Sequence, residues 1–127
     1  MNAPRTLGSQ NKPTGDRGER MAVEDLERAG WTIVARNFRI GHREVYLVAR
    51  RGEVVAFIEV KTRAGLGYGH PLEAITPQKR REIQFVAQLW VDRYGRPDDV
   101  YRFDAIAILL HAGREPVIEH VEDAWRM

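Results

Sequence analysis

Ala22, Val23, Leu26 and Ala29 recur at helical spacing and stop at Gly30, which predicts an amphipathic helix. Asp16 is its expected start, with Glu19 three residues later in a capping-box relation. The pattern then shortens. "WTIVARNFR" and "EVYLVAR" read as two strands, "RRGE" as a turn, and residues 54–61 as a third strand. Such short connections imply an antiparallel meander. After the glycine-rich "AGLGYGHP", Thr76 and Pro77 supply an N-cap and first position for a second helix, whose stripe is Ile83, Val86, Ala87 and Trp90. "YGRPDD" breaks it. Val100–Leu110 is apolar almost throughout, as in a strand covered on both faces, and "HAGREP" leads to a last strand over Val117–Val121. The order αβββαββ is that of an α/β layer fold. It forms one domain over residues 16–127, behind a tail (1–15) whose polar, Pro/Gly-rich composition predicts disorder.

The third strand carries a chemical anomaly. Val55, Phe57, Glu59 and Lys61 share one side, and Val54, Ala56, Ile58 and Val60 the other. Both sides are apolar up to Glu59, so a central strand opens at its C-terminal end onto a carboxylate and an ammonium. A buried, unpaired carboxylate costs several kcal/mol in practice. Lys61 or a bound metal ion would hold Glu59 ionised. A plain ion pair at a strand end accounts for the spacing equally well, and contributes only ~0–1 kcal/mol when exposed.

Composition narrows the classes. A chain of 127 residues, 43% hydrophobic and 30% charged, suits one globular core. The absence of cysteine excludes a disulfide framework, a cysteine zinc site and a thiol nucleophile. No signal-peptide core and no run of ~18 apolar residues is present, so the expected location is cytoplasmic, with no membrane partner. The net charge is only +2, but positive residues gather at 36–43, 50–51, 61–63 and 79–81, where a groove would attract phosphate. Lys79 and Arg80 sit at a helix start, against the macrodipole, a placement that makes sense beside an anion. Asp104, inside an apolar strand, calls for a buried arginine partner.

"GERMA" (18–22), "ARNFR" (35–39), "REVYLVAR" (43–50), "FIEVKTR" (57–63), "GHPLEAITPQKRR" (69–81) and "RFDAIAI" (102–108) resemble, in order and spacing, the bacterial YraN family. By similarity that family belongs to the PD-(D/E)xK superfamily of restriction endonucleases and Holliday junction resolvases. The resemblance implies a restriction-endonuclease-like core, a mixed sheet flanked by helices, with its site at the ends of the second and third strands. It implies a DNA endonuclease dependent on Mg²⁺ or Mn²⁺, acting on DNA or structured nucleic acid. Glu59 is then a metal ligand, Lys61 the group that orients water or stabilises charge, and Glu19 the first-helix glutamate. Arg43, Arg63, Tyr68, His70, Lys79 and Arg80 are candidate nucleic-acid contacts. A homodimer is left open.

One position departs from the family. Its second-strand pattern G-E-I-D-L-I reads here Arg43, Glu44, Val45, Tyr46, Leu47, Val48, with tyrosine in place of the metal-binding aspartate. A neutral phenol is a poor Mg²⁺ ligand. Glu44, on the same side of the strand, is a candidate metal ligand in its place, as Glu19 is beside Glu59. It lies about 6.6 Å away along the strand, so replacement needs a bulge or a shifted metal. The alternatives are therefore a catalytically inactive nucleic-acid-binding module, with Tyr46 stacking on a base, or a protein-interaction domain.

Overall fold

Gly30 sets the first corner of the fold. Its φ of 93° lets the N–H of Trp31 reach the carbonyl of Leu26 (3.0 Å) and its own N–H reach that of Glu27 (3.1 Å). This is a Schellman closure that ends helix α1, Lys12–Arg28. The computed structural model describes residues 12–64 and 71–126, without the side chains of residues 12–16, 46 and 71. The helix begins four residues ahead of the expected Asp16, which corrects the capping-box reading: Asp16 and Glu19 both lie inside it. Pro13 does not oppose the earlier start, because the first turn of a helix has no use for its missing N–H.

Five strands follow in spatial order: β1 (Thr32–Ile40), β2 (Arg43–Arg51), β3 (Val54–Ala64), β4 (Val100–Leu110) and β5 (Val117–Trp125). The first three form the expected antiparallel meander; β3 and β4 run parallel, and β4 and β5 antiparallel. Between β3 and β4 come a single 3₁₀ turn, Pro71–Ala74, and helix α2, Pro77–Tyr94. The αβββαββ order and mixed sheet are those of a restriction-endonuclease-like α/β core. No helix among the described residues is long and apolar enough to cross a membrane.

Each face of the sheet has its own core. Ala56, Ile58 and Val60 of β3, with Ile106 and Ile108 of β4, pack against Ala22, Val23 and Leu26 of α1. Val55 and Phe57, with Ala105, pack against Ile83, Val86, Ala87 and Trp90 of α2. Alternation along a strand sends neighbours to opposite cores, so the uniformly apolar β3 is the central strand covered twice. Strand β2 breaks this rule. Leu47 and Ala49 join the α1 core and Val48 the α2 core, yet Val45 also joins the α2 core. The alternation slips at Tyr46, and Asn37, between the pairs Arg36↔Leu47 and Phe38↔Val45, has φ 51°.

Strand β5 runs four residues past the expected Val121, because a bulge lets it continue. The register shifts between Phe103 and Ala105, and Asp123 takes φ 53°. The freed N–H of Asp123 donates to Asp104 Oδ1 at 2.9 Å. Just before β4, Arg50 clamps Asp99 with bonds of 2.6 and 3.1 Å, and that guanidinium holds the Asp99 pKa down to about 2.

Gly18 is buried where α1 crosses β3, and a Cβ there would collide with the Thr62 hydroxyl. Gly18→Ala should therefore destabilise by about 1–3 kcal/mol despite alanine's better helix propensity. Thr62→Ala should recover part of that loss, as read in a denaturant double-mutant cycle. An unchanged or raised midpoint for Gly18→Ala alone would contradict the close crossing.

Candidate functional site

Glu59 is the most unusual side chain in the molecule. Strand alternation turns it to the α2 side, after Phe57, where its side chain is 0% exposed. Thr76 caps α2, its hydroxyl accepting from the N–H of Lys79 at 3.2 Å. The cap fixes Lys79 in the first turn, above the strand. Lys79 Nζ then lies 3.7 Å from Glu59 Oε2, and Lys61 Nζ lies 3.5 Å from the same oxygen. Among the described residues neither Glu59 oxygen has a hydrogen-bond partner within bonding geometry. Burial pushes its pKa above the ordinary value of 4.5, the Lys79 and Lys61 charges oppose that rise, and the Glu44 charge adds to it. Both lysine side chains remain about a quarter exposed, at 25% and 29%.

Asp104 shows by contrast what a structural buried carboxylate looks like. It sits beside Ile58 in the β3–β4 ladder, one residue from Glu59 but on the opposite face. Arg102 donates to both oxygens at 2.9 and 3.0 Å, His120 Nε2 lies at 2.8 Å, and the Asp123 N–H at 2.9 Å. Burial pushes its pKa up, but the bonds from His120, Arg102 and Asp123 outweigh that and hold it low. Asp104 is saturated; Glu59 is not.

The other expected residues are distributed unevenly. Glu44 pairs with Arg39 at 3.2 Å, near enough for its charge to act on Glu59. Glu19 pairs with Arg36 of β1 at 4.0 Å, from a helix packed on the face away from Glu59. Arg43 lies over the Phe85 ring at 4.8 Å, and Arg63 donates to the Thr62 carbonyl at 3.4 Å. Arg80 donates to the Ile75 carbonyl at 3.2 Å and lies over the Trp125 ring at 5.5 Å. The Tyr46 side chain, Tyr68 and His70 lie outside the described residues. Among the described residues no group of three or more His, Cys, Asp or Glu is placed to hold a metal ion.

The backbone opens the site. Among the described residues the β2–β3 ladder has no pair beyond Leu47↔Ile58, while β3 stays paired with β4 as far as Ala64↔Leu110. Glu59 and Lys61 therefore sit where β2 leaves β3. The approach of Lys79 to Glu59 is hidden in the sequence, where Lys79 reads as a cation against the dipole. Arg102 and Asp104 carry a signal: they share the same-side i, i+2 spacing of Glu59 and Lys61.

Residues 18–108 match the family described as Uncharacterised protein family UPF0102. The chain belongs to that family. It is the YraN family of the sequence motifs, and the match takes in most of α1, the meander, α2 and most of β4. A UPF0102 protein of Rhodococcus jostii is 45% identical over 117 residues, covering 92% of this chain and 99% of the relative. One from Geobacter sulfurreducens is 45% identical over 92% of this chain and 91% of its own. One from Chloroherpeton thalassium is 41% identical over 91% and 95% respectively. The likeness to UPF0102 proteins thus extends over most of the described chain, and the Glu59 cluster lies inside the matched segment.

A raised Glu59 pKa means that ionising the carboxyl opposes folding. Its contribution to stability is full below pH 4.5 and is lost as pH rises through the folded-state pKa. Glu59→Gln, which cannot ionise, should therefore gain on the parent as pH rises. Thermal melts at pH 5 and pH 8 should show a difference in Tm that moves in favour of the variant at the higher pH. A difference moving the other way would mean that the two lysines hold the carboxylate more strongly than burial disfavours it.

Proposed function

We propose that this protein binds the phosphate backbone of DNA or structured nucleic acid at the Glu59, Lys61 and Lys79 site, in the cytoplasm. The observation that carries the reading is one buried carboxylate flanked at 3.5 and 3.7 Å by the ammonium groups of two partly exposed lysine side chains. Glu59 orders the lysines, and the trio retains a net charge of about +1 when Glu59 is ionised. That charge favours an anion. Arg80, on the next residue of α2, extends the positive surface, and backbone N–H groups at a helix start favour phosphate further.

A resident Mg²⁺ or Mn²⁺ fits this donor set poorly. The two unbonded oxygens of Glu59 suit a hard cation, which takes oxygen ligands. A second carboxylate is wanting: Tyr46 stands at the family's aspartate, Glu44 is paired with Arg39, and Glu19 with Arg36. The reading therefore uses the lysines for binding and routes no chemical step through a metal.

The same unbonded carboxylate favours a second reading, a metal-dependent endonuclease weakened by Tyr46. In that case Glu59 holds the ion and Lys61 stabilises the charge that develops on the phosphate.

Binding to labelled branched and linear DNA, measured across a salt series, tests the first reading. Lys61→Ala and Lys79→Ala should each weaken binding and lower the salt slope by about 0.7–0.9 for each phosphate left without its lysine. Glu59→Gln should bind as tightly or more tightly, since it removes a negative charge. No binding, or salt-insensitive binding, would point to a protein-interaction domain instead. Incubating parent and Tyr46→Asp with Mg²⁺ or Mn²⁺ separates the readings. Cleavage by the parent that Glu59→Ala abolishes makes it an enzyme, and cleavage only by Tyr46→Asp makes it a lapsed one.

A further inference from the structure

The sheet face beneath α2 is covered unevenly. Helix α2 packs on β2 and β1, and the Pro71–Ala74 turn packs on β3 and β4. The start of β4 and the end of β5 frame an open groove of about 360 Å³, within the range of small-ligand sites. Its wall is aromatic. Phe103 and Trp125 stack with centroids 5.5 Å apart and planes 19° apart, and Tyr101 stacks on Phe57 at 6.0 Å. Tyr101 and Phe103 are only half-buried, which leaves ring surface toward the groove.

The charges along this groove are already matched. Arg102 is held by Asp104, and Arg126 by Asp123 at 2.6 and 3.0 Å. The wall thus suits a neutral planar guest better than an anion. Trp125 is more than nine-tenths buried, at 7% exposure, and forms the floor on which Phe103 stacks. The groove also adjoins the lysine site through consecutive residues of α2, since Lys79 reaches Glu59 while Arg80 lies over the Trp125 ring.

We propose that this groove receives an unstacked nucleobase from the strand whose phosphate lies at Lys61 and Lys79. The ligand is then single-stranded or branched nucleic acid and not intact duplex, whose bases are stacked out of reach. Every base offers a flat π-face for the rings. The inference rests on the nucleic-acid reading above and names its substrate class.

The test compares three labelled probes on the full chain: an oligothymidylate of about 12 nucleotides, an abasic oligonucleotide of equal phosphate count, and a duplex of that length. The parent should bind the oligothymidylate at least about 5-fold more tightly than the abasic strand. Tyr101→Ala should remove that preference while leaving abasic binding unchanged; Lys79→Ala should weaken both. Equal affinity of the parent for thymidylate and abasic strands overturns the base subsite and leaves phosphate binding standing. Duplex binding as tight as single-strand binding does the same. Failure of all three probes to bind overturns the nucleic-acid reading and this inference with it. The comparison of probes on the parent decides the matter even where a groove variant fails to fold.

Discussion

A carboxylate taken fully out of water without a hydrogen bond survives as an anion only if cations come to it, and this constraint organises the functional end of the molecule. Glu59 brings Lys61 from its own strand and Lys79 from the start of α2. Strand β3 is thereby tied to the helix that crosses over to β4. The Thr76 cap and Pro77 fix the helix start, so the position of Lys79 follows from backbone geometry as well as from charge. In most folds a lysine in the first helical turn opposes the macrodipole without return. Here a buried partner offsets the loss.

The treatment of charge elsewhere sharpens the contrast. Asp99 and Asp104 are each bonded by an arginine and by a backbone N–H. Both carboxyls are held below the ordinary value, and both serve the architecture. Glu59 moves the other way, and it does so where β2 separates from β3 and the alternation of β2 slips. A raised carboxylate pKa, oxygens without a hydrogen bond among the described residues and the end of the β2–β3 ladder coincide at Glu59, as they do at neither aspartate.

Membership of UPF0102 gives this arrangement a context. The meander is continuous on either side of Tyr46, where Leu47 and Val45 pair with Arg36 and Phe38.

Much of the architecture is legible in the sequence because it depends on period and punctuation. The apolar runs of β3 and β4, the stop at Gly30 and the Thr76–Pro77 start each record a local requirement of the backbone. The start of α1 and the length of β5 escape such reading because local signals compete with context: a capping pattern lies inside a helix, and a bulge at Asp123 carries a strand onward. Of the site, the same-face placement of Glu59 and Lys61 follows from strand geometry alone. The approach of Lys79, the diversion of Glu19 to Arg36 and the aromatic groove by Trp125 are decided by tertiary structure. A sequence states which side of an element a residue takes; which distant element arrives opposite it depends on how the layers pack.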